Sequence, residues 1–329
     1  MPSSSHPTLA LRRAPRPQAS APRDLLLGAA WVVVAVLAAL EALHDIGVIG
    51  GRSSLFDDWA HGIVLVTATV LCFACASTTG FHRQAALAFG AGLACWAAGD
   101  TWWTLFYEHE ANPPFPSVAD ALWLSWYPLT ALGIALLIRH HVATFHLHRW
   151  MDGLAVMLIV LTPCAALFLA PAAEASGRDA LSTIVVLSYP ILDALLIGAV
   201  LGVYGLLDWH ITKAWLCLGL GCVLMAAGDG LFAVQEERSG AVGANYDFTW
   251  PIGALLIALS VRLAIDVPAA RPESVGWRAI VLPLAAQTLA AAIQIYGLFH
   301  EMGNTERLVT LFVLIVSMVQ IIVARPRAV

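Results

Sequence analysis

Charge is what this chain most lacks. Asp, Glu, Lys and Arg make up 12% of its 329 residues, where a soluble domain carries about 25%. That scarcity excludes an ordinary soluble enzyme or binding domain. Sixty per cent hydrophobic residues and a mean hydropathy of +0.79 point to an integral membrane protein instead. Catalytic signatures are missing as well. There is no G-x-S-x-G nucleophile elbow, no glycine loop leading into Lys-Ser/Thr, and no H-E-x-x-H. An enzyme is therefore not the expectation. The net charge of −5 leaves no electrostatic basis for a nucleic-acid partner. All six cysteines fall inside apolar runs, which argues against an extracellular disulfide framework. Cys72 and Cys75 form a single C-x-x-C, read as small packing residues.

Long apolar runs are abundant. A helix needs roughly 20 such residues to cross the hydrocarbon, and ten stretches qualify: 25–44, 58–77, 84–106, 119–139, 151–171, 181–206, 213–235, 247–266, 278–299 and 307–324. The expected fold is all-α, a polytopic bundle of about ten transmembrane helices. Loops retained in the cytoplasm keep an excess of Lys and Arg. With the N-terminus inside, only Arg52, Arg178, Arg238 and Arg307 of the seventeen Lys and Arg fall on the outer side. Both termini are thus expected in the cytoplasm, and the bilayer is the first partner. Residues 1–23, rich in Ser, Pro and Arg, read as a disordered basic tail, and 24–329 as one transmembrane domain.

Two segments resemble each other. "AAGD" at 97–100 recurs at 226–229, each near the outer end of an outward-running helix. Each is followed by a loop and an inward-running helix opening with an aromatic-Pro pair, Tyr127-Pro128 or Trp250-Pro251, and Tyr189-Pro190 is a third such pair. The implied unit is an out-and-back hairpin in parallel copies, near 84–139 and 213–266. Proline inside a helix frees a carbonyl and bends the axis, so three such prolines are expected to splay the bundle toward the outside.

Ionisable side chains within spans cost about 2.5–3.5 kcal/mol each on insertion scales and normally face a partner or a cavity. Glu41, Asp100, Asp193 and Asp229 are the clear cases, with no Lys or Arg at a comparable depth. They must be protonated, hydrogen-bonded to Tyr, Trp or Ser, or reserved for a cation. With Trp103, Asp120, Tyr127, Tyr189 and Trp250 they define an expected acidic, aromatic-lined ligand site on the outer side. Trp and Tyr faces also attract cationic ligands. Glu41, His44 and Asp45 share a helical side, and His44, His61, His109 and His300 are the weak candidates for a metal site. No particular cofactor is implied.

The series "W-x-x-G-D" (Trp96–Asp100), "FPSVADALWLSWYP" (Phe115–Pro128), "LSYPILD" (Leu187–Asp193) and "YDFTWPIG" (Tyr246–Gly253) resembles the multi-helix membrane sensor region that precedes GGDEF and EAL domains in bacterial cyclic-di-GMP signalling proteins. The resemblance covers about 84–266. It implies an inner-membrane sensory module, with Asp100, Asp120, Tyr127, Tyr189, Asp193, Asp229 and Trp250 at the motif positions. The sequence carries neither a GGDEF nor an EAL domain, so the resemblance implies signalling to a separate cytoplasmic protein. A proton-coupled carrier using the intramembrane Asp residues is the alternative, and an intramembrane metal- or haem-dependent enzyme comes third.

Overall fold

The computed structural model describes residues 21–51, 53–78, 82–108, 110, 112–141, 180–206, 211–239 and 245–264, with scattered helical positions between 288 and 318. Seven α-helices lie in these residues: α1 (Ala21–Asp45), α2 (Ala60–Thr78), α3 (Arg83–Phe106), α4 (Val118–His141), α5 (Ala180–Leu206), α6 (Lys213–Ser239) and α7 (Thr249–Ala264). No strand occurs among them. By length and composition five are able to span a membrane, within Leu25–Asp45, Ala60–Ser77, Val118–Arg139, Ala180–Tyr204 and Lys213–Phe232. The protein is accordingly a multi-pass membrane protein. The count is seven helices where ten spans were expected; 151–171, 278–299 and 307–324 lie outside the continuously described residues. So does the tail over 1–20, while α1 begins at Ala21, inside the segment expected to be disordered.

Six helices close a ring. α2 packs on α3, α3 on α4, α4 on α5, α5 on α6, α6 on α7, and α7 returns to α2. α1 lies outside, in the seam between α2 and α7. Its neighbours cover little of it: 17% of its apolar window is buried, against 44% for α2. Val34 and Ala38 of α1 meet Val64 and Leu71 of α2, whereas Val32, Val33 and Val36 are exposed. An apolar helix with one narrow buried stripe is stable only where hydrocarbon covers the rest. The main core lies inside the ring, around Phe89, Leu93, Trp126, Leu218, Met225 and Ile257.

The prolines do not act as one set. Pro128 and Pro190 lie inside α4 and α5, where each leaves the carbonyl four residues earlier, of Leu124 or Val186, without its usual donor. Pro251 is the third residue of α7, in a first turn whose N–H groups have no intrahelical acceptor in any case. The expectation of three helix-bending prolines is corrected to two.

Candidate functional site

All the intramembrane acids gather at one end of the bundle, where α1, α3 and α6 finish and α2, α4, α5 and α7 start. Two glycines set the spacing. A Cβ on Gly99 would stand 2.6 Å from Nε1 and Cδ1 of Trp123, and one on Gly228 would stand 2.7 Å from Nε1 of Trp250. Only glycine lets the following helix come this close. The next residue in each case is the acid, and each accepts a hydrogen bond from that indole: Trp123 Nε1 donates to Asp100 Oδ1 at 2.8 Å, and Trp250 Nε1 to Asp229 Oδ1 at 2.8 Å. The "AAGD" sequence is thus a close-approach residue followed by an acceptor. The contacts match Trp123 with Trp250, so the aromatic-Pro pairs Tyr127-Pro128 and Trp250-Pro251 are one helical turn out of register with each other.

The second oxygens of these acids have different partners. Asp100 Oδ2 lies 3.2 Å from His61 Nε2, and the other ring nitrogen, Nδ1, lies 3.4 Å from Glu41 Oε1. His61, the second residue of α2, follows a π-helical turn, Leu55–Trp59, a local form frequent at functional sites. It links α1 to α3. Both of its contacts are N–H donations only when the ring is an imidazolium.

Asp229 Oδ2 lies 2.9 Å from the Tyr127 hydroxyl, which also lies 3.0 Å from Asp193 Oδ1. Asp193 and Asp229 thus lie on the same phenol. One phenol has one hydrogen to give. Two acids around it form hydrogen bonds throughout only if a carboxyl proton is shared within the trio. α4, α5 and α6 thus meet on a phenol held between two acids rather than on an acid–base pair.

Asp120 has a different place. Ser117 and Asp120 bracket the start of α4 reciprocally: Asp120 N–H donates to Ser117 Oγ at 3.3 Å, and Ser117 N–H donates to Asp120 Oδ2 at 2.7 Å. This is a capping box. The remaining oxygen, Oδ1, accepts from the Tyr189 hydroxyl at 3.0 Å and so ties α5 to α4. Ring contacts join the clusters: His61 meets Trp250 edge-on at 6.1 Å, and Tyr127 meets Tyr189 at 6.4 Å. Trp103 packs against Trp123 and Tyr107 within this aromatic layer.

Glu41, Asp100, Asp120, Tyr127, Tyr189, Asp193, Asp229 and Trp250 are thus brought together, with internal donors for each carboxyl group. Sequence reasoning passed over His61 as their partner and grouped it with metal candidates. Its depth, near the start of the run 58–77, was the available signal. It also passed over Trp123 as a donor and over the S-x-x-D cap. His44 is elsewhere, with Nδ1 3.1 Å from the Ile49 carbonyl and its ring stacked on Phe56. His109 and His300 lie outside the described residues. Among the described residues, no group of three or more His, Cys, Asp or Glu is arranged to hold a metal ion. At His61 the reason is geometric, since its two nitrogens point to acids on opposite sides of the ring. Cys72 and Cys75 are buried and form no disulfide. Comparison of the chain with protein-family models, curated proteins and solved structures finds no match.

Proposed function

We propose that the protein is a bacterial inner-membrane sensory module, in which the state of the His61–carboxylate–Tyr127 network sets how the ring helices sit against one another. The carrying observation is that single polar side chains each hold two other helices: His61 of α2 joins α1 and α3, and Tyr127 of α4 joins α5 and α6. A change of protonation or ligand at such a junction alters several helix contacts at once. It shifts a conformational equilibrium only by as much as it favours one state over the other. The motif series shared with cyclic-di-GMP signalling proteins supports the same reading, with the network end facing the periplasm, both termini in the cytoplasm and the output passed to a separate protein there. The matched Asp–Trp contacts support reading α3–α4 and α6–α7 as parallel copies of one unit.

Hydrogen exchange tests this reading. His61→Gln and Tyr127→Phe alter the network end; the opposite helix ends, near Arg83, Arg139, Lys213 and Arg262, lie about 24 Å away, taking sixteen residues of α6 at 1.5 Å each. Altered exchange at those far ends is expected, and unchanged exchange there in both variants sinks the sensory reading. The two acids held on the Tyr127 hydroxyl favour one alternative, a proton-coupled carrier. Proteoliposomes holding a pH-sensitive dye separate the two. A carrier produces proton flux that Asp229→Asn abolishes, and a sensor produces none.

A further inference from the structure

One atom of the network has no donor. Glu41 is 1% exposed, its Oε1 faces His61, and its Oε2 has no hydrogen-bond partner. A buried acceptor left in this state costs about 1–3 kcal/mol, and more when charged. Protonating Glu41 does not remove the problem: a proton on Oε2 would lack an acceptor, and a proton on Oε1, facing His61, leaves Oε2 a carbonyl without a donor. Acids approach from α1, α3, α6 and the segment before α7. Asp45 lies one turn further along α1, with its Oδ2 accepting from Phe248 N–H at 2.9 Å; Asp247 interacts with Asp45 from the approach to α7; Asp100 stands on α3 beyond His61; Asp229 stands on α6 beneath Trp250. The basic groups here are His61 and His44; the described Lys and Arg of α2 to α7 lie near the opposite helix ends, except Arg238 in the last turn of α6, which is preceded in the chain by Glu236 and Glu237. Acids therefore exceed bases, and the unpartnered oxygen is an acceptor. Both deficits are met by one species, a cation that donates hydrogen bonds.

We propose that Glu41 Oε2, in the seam between α1, α2 and α7, binds a primary ammonium group, carried either by a small amine or by an aminated lipid headgroup. A metal ion fits poorly. Calcium takes six to eight oxygen ligands and magnesium a near-octahedral set, whereas no such cluster occurs among the described residues. An ammonium needs few acceptors and tolerates aromatic neighbours, and Trp250 and Tyr246 pack together beside His61. α1 is the least enclosed of the five candidate spans, and Glu41 is four residues, about 6 Å, from its end.

The inference deepens the sensory reading by naming a ligand class for the same network. Its test uses the full chain in nanodiscs of phosphatidylcholine and, separately, of phosphatidylcholine with phosphatidylethanolamine. Methylammonium chloride is compared with tetramethylammonium chloride, which has no N–H, and with NaCl at equal ionic strength. In phosphatidylcholine discs, methylammonium is expected to raise Tm saturably by about 3 °C, and Glu41→Gln to weaken its binding at least tenfold by calorimetry. Equal responses to the three salts, no response in these discs, or full affinity in a folded Glu41→Gln variant each overturn the proposal. The wild-type salts decide the matter even if the variant does not fold. A methylammonium response that disappears in the phosphatidylethanolamine discs assigns the site to the headgroup, and one that persists assigns it to a free amine. Methylammonium binding without any change of exchange at the far helix ends defeats the sensory reading alone. Altered exchange in Tyr127→Phe with no methylammonium binding defeats the ammonium site alone.

Discussion

The hairpins α3–α4 and α6–α7 start from the same construction and diverge at one atom. In both, a glycine admits the indole of the next helix, and the adjacent acid accepts its N–H through Oδ1. Asp100 Oδ2 then meets an imidazole, and Asp229 Oδ2 meets a phenol that also holds Asp193. The first arrangement can be satisfied by a positive charge, the second only by a shared proton. Two chemically different junctions are thus built on one scaffold contact, and the second partner, not the acid, decides which.

That comparison can be broken most severely at the glycines. Gly99→Leu and Gly228→Leu drive a side chain into Trp123 or Trp250, and overpacking of this kind costs about 1–3 kcal/mol or more before the lost hydrogen bond is added. A large fall in thermal stability is expected for both, and a near-neutral result for either removes the close approach as the basis of the match. Trp123→Phe and Trp250→Phe probe the shared contact itself. Each leaves one carboxyl oxygen without its donor, a loss of about 1–3 kcal/mol, so similar losses of Tm are expected; a much larger loss at one site would show that the hairpins are not equivalent. Tyr127→Phe acts on the difference between them. It removes the only hydroxyl in the acid trio, and a solvent-exchange or infrared probe of the Asp193 and Asp229 carboxyls should change while the Asp100 signal stays as it was. The smallest effect is expected for Pro251→Ala, within about 0.5 kcal/mol, because first-turn N–H groups need no intrahelical acceptor. Pro128→Ala, inside α4, should change stability measurably more.

Helix positions were legible in the sequence because apolar runs of membrane length have few other uses. The expected stretches 84–106, 119–139, 181–206 and 213–235 end within four residues of the ends of α3, α4, α5 and α6. The acids were legible for the same reason, as costly residues at depth. Their partners were not. One of the three alternatives stated for them, hydrogen bonding to Tyr, Trp or Ser, is met at Asp100, Asp193 and Asp229 by Trp123, Tyr127 and Trp250, whereas Glu41 meets His61. Apart from the local Ser117–Asp120 cap, which group meets which acid depends on residues 21 to 102 apart in the chain. The aromatic-Pro register failed because Trp250 resembles Tyr127 in its neighbour Pro251 but matches Trp123 in its contact. Local likeness followed the proline; packing followed the glycine.

The sequence by itself determined that this is a multi-pass helical membrane protein and which carboxylates it carries inside the bilayer. Both follow from transfer free energy, a property that each residue contributes without reference to the others. Only the tertiary structure decided that His61 stands between Glu41 and Asp100, that Tyr127 stands between Asp193 and Asp229, and that Glu41 keeps one oxygen without a donor. A hydrogen bond depends on distance and direction to within a few tenths of an ångström. The closing of six helices into a ring sets those distances, and no single helix contains them.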